Sequence, residues 1–568
     1  MKKSLLTGLL CLCCLLGLMA YWHLRLHPDA ATSPASPAAA TPASQVVLTP
    51  LDGRPPCLQL VRDSGAMADI DVVTPPGELR DYYSQPGDTT ALRQWLQDNL
   101  AGRQAAILSI DQLLYGGLLA AREKEATPAQ IDALIAFLRT LHAAHPDVPL
   151  YAFSILPRLT PQDTIDGYQE RRDLIAYSRL QGRAAAGEPV DQDELQRLHD
   201  AIPQGSLQRY LAHFEENKLL NEKLSQLAKE GTLHLLVLGQ DDGERYSIPN
   251  IEKEALRQYL RDNAITEQQV FLTHGADEIA LSLLARWQNE VLGRTPRIYT
   301  DCDQPASGTR VMPYMAVSNE ETAREKIALL GGETAAEPHA ADFTLFLTAR
   351  NNEKDATDTR PAAVQVIGKA LRSGRQLALV DLSKHFAAEE TILPLLLQQK
   401  LPLLQLCSYA GWNTASNAIG TATAQASLYL GARTLQSDDE TAYRTEYQRI
   451  RLLANRMLED YCYLKDGISM VNDSLKKAGY TNTADLNLEQ NYRWANAMLQ
   501  RDMQEESRRL PYLPALQTPF TLSLPSGMNT YRLKQLKCET SYPWPRTFEI
   551  YLETTPYIEQ IQPEGNAD

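Results

Sequence analysis

Two aspartates, Asp241 and Asp242, stand side by side after the apolar run 233–238 and between Gly239 and Gly243. One aspartate suffices to cap a helix or close a turn. A second adjacent charge costs repulsion unless one acid keeps a proton or both meet a cation. Two carboxyls that share a pocket push their pKa values apart. One is left protonated to act as an acid and the other ionised to act as base, nucleophile or polariser, which is what cleavage of a glycosidic bond requires.

Further polar residues stand just past other apolar runs. Asp52 and Arg54 follow residues 45–50, Asp111 and Tyr115 follow 105–110, and Arg158 follows 148–156. Gln240 precedes the acid pair, His274 and Asp277 follow 270–273, and Trp412, Asn413 and Asn417 follow 403–407. In a parallel α/β fold such positions converge on the face where ligands bind. Asp241, Asp242 and Asp111 are then the catalytic candidates. For a sugar substrate, Trp412 and Tyr115 would stack on a pyranose face and Asn413 and Asn417 would bond its hydroxyls. Arg54 or Arg158 would pair with a carboxylate or balance the acids. Asp52, Gln240, His274 and Asp277 complete the substrate-binding set. Plainer readings stand beside these: Asp52-Gly53 as a turn, Asp277 as a charge favoured in a first helical turn, His274 as a structural histidine and Trp412 as a core aromatic.

The elements that must position these residues alternate in type. Strand-length runs recur at 45–50, 70–74, 105–110, 148–156, 233–238, 270–273, 297–300, 343–348, 377–382 and 403–407, with helical patterns such as 90–100, 127–142 and 251–263 between them. This alternation predicts an α/β fold with a (β/α)-barrel-like core of mostly parallel strands. The charged stretch 160–230 reads as a helical insertion. The catalytic core is expected over 46–430, with 295–430 as a candidate separate α/β subdomain. A helical region over 431–510 and a C-terminal region of short strands and loops over 511–568 follow.

At the start of the chain Lys2 and Lys3 precede an apolar stretch, the pattern of a signal anchor or signal peptide over 1–27. An Ala/Pro/Ser/Thr-rich tether over 28–45 comes next. Together they predict export to the periplasm or beyond, with a transmembrane tether through residues 5–22. The formal net charge of -15 repels phosphate and argues against a nucleic-acid partner. Cys57, Cys302, Cys407, Cys462 and Cys538 are widely spaced without any CxxC, which suggests neither a zinc site nor a disulfide framework. GxSxG, GxxxxGK[ST] and post-strand GxGxxG patterns are absent, and no cofactor is expected.

The acid pair, with Trp412-Asn413 and Asn417, resembles the barrel glycosidases that remove N-acetylhexosamines with help from the substrate's own acetamido group. That resemblance implies Asp241 as polariser of the acetamido group and Asp242 as general acid. Two departures stand against it: Gly239-Gln240 replaces the aromatic or apolar residues usual before the pair, and 412–417 only approximates the Asn-rich loop. Over the whole globular segment, Asp52-Gly53-Arg54-Pro55, Asp111 with Tyr115-Gly116-Gly117, and Gly411-Trp412-Asn413-Thr414-Ala415 resemble an exported bacterial family known only as a domain of unknown function. That second resemblance implies no activity. The expectation is hydrolysis of a cell-envelope or extracellular glycan. A metal-dependent hydrolase using Asp111, Asp241, Asp242, His274 and Asp277 stays open beside it, as does a non-catalytic glycan-binding protein.

Overall fold

The computed structural model describes residues 44–161 and 167–561. The first sheet contains β1 (Ser44–Thr49), β2 (Ile70–Val73), β3 (Ala105–Ser109), β4 (Leu150–Leu156), β5 (Leu235–Gln240) and β6 (Val270–His274). Its strands are all parallel, in the order β2-β1-β3-β4-β5-β6. The second sheet contains β7 (Arg297–Cys302), β8 (Glu333–Thr334), β9 (Phe343–Arg350), β10 (Leu377–Ser383) and β11 (Ser408–Ala410). It is also parallel, in the order β11-β10-β9-β7-β8. The third sheet is antiparallel and pairs β12 (Phe520–Leu524), β13 (Gly527–Ser541) and β14 (Tyr551–Ile561).

The expected α/β fold of mostly parallel strands is what the structure shows, with the strands distributed over two sheets around a shared core. Val46, Ile107, Phe153 and Val237 of the first sheet are buried in one cluster with Ile298, Leu345 and Val380 of the second. The helices Ile279–Val291 and Ala415–Arg433 contribute to the same cluster. Ala415–Arg433 is buried on nearly every side, and its Ala, Gly, Ser and Thr residues allow close approach of its neighbours. At Gly420 a Cβ would strike the Glu278 side chain. That glutamate pairs with Lys326 at 2.6 Å, both side chains fully buried.

The helical insertion lies between β4 and β5 as Tyr168–Ala185, Gln192–Ala201 and Gln204–Lys229. The C-terminal helical region runs through Asp439–Arg456, an unusual π-helical segment Met457–Gly467, and Ile468–Lys477. Two sequence expectations shift here. The strand placed at 403–407 forms later, at β11. Arg449 Nη1 donates to the carbonyls of Leu404 and Leu406, both at 2.6 Å, and so occupies acceptors a sheet ladder would have used. In the tail, β13 spans 15 residues rather than forming a short strand.

The expectations of a transmembrane segment and a membrane partner are corrected. No helix among the described residues is long and apolar enough to cross a membrane. Residues 5–22, on which those expectations rest, lie outside the described residues, as does most of the tether. Its last two positions, Ser44 and Gln45, already belong to β1.

Candidate active site

β5 is Leu-Leu-Val-Leu-Gly-Gln, buried throughout, so the chain must leave the sheet at a fixed point. Gly239 is required there, because a Cβ would lie 2.6 Å from the Gly275 carbonyl oxygen of the loop after β6. Gln240 occupies the last rung, opposite Leu156 of β4 and His274 of β6. Asp241 and Asp242 follow immediately, at the C-terminal edge of the sheet.

They open into a cavity of about 900 Å³. Of the residues expected from sequence, Arg54, Arg158, Gln240, Asp241, Asp242, His274, Asp277, Asn413 and Asn417 line it. Asp52, Asp111, Tyr115 and Trp412 do not, and each has a structural task instead. Asp52 is fully buried and holds Arg54, accepting from its backbone N–H at 3.0 Å and from Nε at 2.8 Å. Asp111 Oδ2 accepts from the Ile155 N–H at 3.1 Å, and burial pushes its carboxyl up to about 7. Tyr115 donates its hydroxyl to Glu216 at 2.6 Å. Trp412 is buried, with Nε1–H donating to Thr421 at 3.3 Å. Neither aromatic presents a face to a ligand.

The motif around Tyr115 acts at one remove. The Asp111 carbonyl accepts from the N–H groups of Tyr115, Gly116 and Gly117, and the two glycines turn with φ of 88° and 129°. That turn starts the short helix Leu118–Glu123 and delivers Arg122 to the cavity. Arg122 grips Asp241 Oδ2 with Nη2 and also with Nε at 3.1 Å. The pair thereby divides. Burial pushes Asp241 up, but the charges of Arg122 and Arg158 and the Arg122 hydrogen bond outweigh it and hold the carboxyl below its ordinary range. For Asp242, burial first and the Asp241 charge second push the carboxyl up to about 7. The repulsion is met by a cation at one acid and a proton at the other.

Two networks brace the walls. Arg54 Nη2 lies 2.6 Å from Asp277 Oδ1, Nη1 lies 3.3 Å from Glu549, and Asn417 donates to Asp277 Oδ2 at 3.1 Å. On the other side, Lys253 Nζ donates to Gln240 Oε1 at 2.7 Å and lies 2.8 Å from His274 Nε2. An ammonium can only donate, so Nε2 accepts and Nδ1 carries the proton toward Glu325, 2.9 Å away. Burial lowers His274 and brings Lys253 down to about 8. Burial would raise Glu325, but its hydrogen bonds from His274 and the charge of Lys326 hold it at about 2. With its oxygen committed to Lys253, Gln240 keeps an unpartnered buried Nε2 on the cavity wall.

The metal reading meets occupied ligands. Asp52, Cys57 and Asp277 could together surround an ion, but Arg54 Nη2 already sits 2.6 Å from both carboxylates. His274 has both ring nitrogens engaged, and Asp111 is turned to a backbone amide.

Sequence reasoning missed Arg122, Lys465, Arg546 and the aromatics Tyr83, Tyr314, Phe386 and Phe548, all of which line the cavity. Six non-glycine residues among those described have positive φ, and four of them, Tyr83, Tyr314, Phe386 and Asn413, stand on this wall. Left-handed backbone at bulky residues is costly and collects at sites where geometry serves a ligand. Only the spacing of Arg122 behind Gly116-Gly117 carried a signal in the sequence.

A parallel α/β fold with a cavity of mixed polar and apolar lining at its C-terminal strand ends, in which Arg122 binds one of two adjacent acids, defines the class of protein. Residues 46–553 match the family described as a protein of unknown function (DUF4127), and the chain belongs to that family. No curated protein and no solved structure matches the chain, so the local resemblance to N-acetylhexosamine glycosidases gains no support from these comparisons.

Proposed function

We propose that the protein is a glycoside hydrolase whose general acid is Asp242. The observation that carries this reading is the Arg122–Asp241 ion pair beside Asp242 in the same cavity, where the cation holds Asp241 below its ordinary range and burial with the Asp241 charge pushes Asp242 up to about 7. Asp242 protonates the glycosidic oxygen as the C1–O bond breaks and the bonding pair leaves with that oxygen. The Asp241 carboxylate faces the positive charge that grows at C1, water adds its oxygen to C1, and the proton it sheds returns to the Asp242 carboxylate. Because Arg122 already binds Asp241, an electrostatic role fits that residue better than polarising an acetamido group.

The walls favour a sugar over an apolar substrate. Tyr83, Tyr314 and Phe386 offer ring surface, Asn413 and Asn417 offer amides, and Gln240 offers a fixed donor. The test is hydrolysis of a panel of envelope glycans and aryl glycosides by the protein and by Asp242→Asn. Turnover falling by roughly 10²- to 10⁴-fold with substrate affinity retained supports the reading. Unchanged turnover in the variant rejects Asp242 as the acid. Binding without turnover by the unaltered protein makes it a glycan-binding protein instead.

A further inference from the structure

The cavity wall carries several cations, and most are already engaged. Arg54 holds Asp52 and Asp277, Arg122 holds Asp241, and Arg546 meets Glu549 through Nε at 3.0 Å. Lys465 differs. It lines the same cavity, and no hydrogen bond or ion pair ties its ammonium to any other described residue. The acids whose charge it feels each have other partners. Asp381 accepts from the N–H groups of Ile392 at 2.8 Å and Leu393 at 3.0 Å, and from Thr348 at 3.1 Å. Asp460 accepts from the Gly411 N–H at 2.8 Å and pairs with Arg456 at 2.9 Å. Glu390 accepts from the N–H groups of His385 at 2.8 Å and Asn352 at 2.9 Å.

The surroundings of Lys465 are specialised. It rides on the π-helical segment Met457–Gly467, a widened turn of the kind that recurs at functional sites. Its ammonium lies 5.3 Å from the centre of the Phe386 ring, and Phe386 takes a φ of 56° to stand there. Tyr463 of the same segment donates to the Thr547 carbonyl, which ties the π-helix to the strand connection that brings Arg546 to the cavity. Arg546 pairs through Nε with Glu549, and its guanidinium makes no hydrogen bond to any described residue.

We propose that Lys465, with Arg546 lining the same cavity, forms a subsite for an anionic group, a carboxylate or phosphate, so that the cavity takes an acidic glycan. A partly buried ammonium with three donors and no hydrogen-bonding partner among the described residues is completed by an anion, whose charge it meets without displacing an existing ion pair. The inference rests on reading the cavity as a glycan site, although it does not require that the glycan be cleaved.

Calorimetric titration with D-glucuronate, inorganic phosphate and D-glucose tests it. Glucuronate is expected to bind at least roughly tenfold more tightly than glucose, and Lys465→Met to abolish that preference with the thermal unfolding midpoint preserved. Phosphate competition with glucuronate locates the shared chemistry, and phosphate binding alone assigns the subsite to phosphorylated rather than uronic sugars. Equal affinity for glucuronate and glucose with no phosphate binding overturns the proposal, as does a preference that survives Lys465→Met. Should that variant not fold, the salt dependence of the unaltered protein decides. Glucuronate affinity that falls several-fold between about 20 mM and about 500 mM salt supports the subsite, and salt-independent affinity overturns it. Glucuronate bound by Asp242→Asn with no hydrolysis by either protein would leave the subsite standing while the hydrolase reading falls.

Discussion

The Arg122 guanidinium binds the Asp241 carboxylate and so divides two adjacent aspartates into one ionised and one protonated group. Both side chains of the ion pair are largely buried, at 17% and 9% exposure, which keeps the interaction from being screened away. Replacing Arg122 therefore acts on both acids. In Arg122→Met the Asp241 carboxylate is left buried without its cation, and a loss of about 3–5 kcal/mol in unfolding free energy is expected by denaturant titration. Turnover should fall by roughly 100-fold or more, because both carboxyls then compete for one proton. Full activity in this variant would show that the division does not matter.

The pH dependence has a definite sign. Asp242 is raised to about 7, so between about pH 4 and about pH 7 the folded protein holds a proton the unfolded chain has released. Its contribution to stability is present below the unfolded value and declines as pH rises through that window. Asp241 is depressed, so its contribution is present above the unfolded value and is lost as pH falls below it. The difference in stability between the protein and Asp242→Asn, followed by urea unfolding at about pH 5 and about pH 8, should grow in the variant's favour at the higher pH. Turnover should decline above about pH 7 as the general acid loses its proton.

Lys253 offers a test of positioning. It donates to Gln240 and faces His274, and it is almost wholly buried. Lys253→Met strands two acceptors, at a cost of about 1–3 kcal/mol each. With the Gln240 amide no longer oriented, KM should rise by roughly tenfold with a smaller change in kcat, since the lost contact serves binding in ground and transition states alike. A purely structural lysine would lower stability and leave KM alone.

Tyr314 predicts a trade of stability against binding. Its φ is 64° and the residue is 54% exposed, so the ring contributes little burial while the backbone stays strained. Its carbonyl accepts from the Gly243 N–H at 3.1 Å, which couples this rim to the acid-pair loop. Tyr314→Gly should be more stable by about 1 kcal/mol, through relief of left-handed strain, and should bind glycan more weakly. Thermal unfolding and titration calorimetry read the two effects separately, and a stable variant with unchanged affinity would remove Tyr314 from the site.

The sequence alone determined the parallel α/β fold and the edge at which the cavity opens. Short apolar runs such as 235–238, closed by Gly239 and alternating with helical patterns, favour buried strands, and a buried strand must release its next polar residues where it ends. That is why Gln240, Asp241, Asp242, His274 and Asp277, which line the cavity, could be placed at that edge from position alone. Asp111, Tyr115 and Trp412 have the same residue types at the same kind of position, yet they turn inward to a backbone amide, a glutamate and a threonine. Side-chain direction past a strand end is set by what packs there, which local spacing does not encode. Tertiary structure also decided which acid keeps its proton, because Arg122 reaches Asp241 from 119 residues away in the chain. The same holds for Lys465 and the aromatic rim, carried by a π-turn and by strained backbone that no sequence periodicity announces.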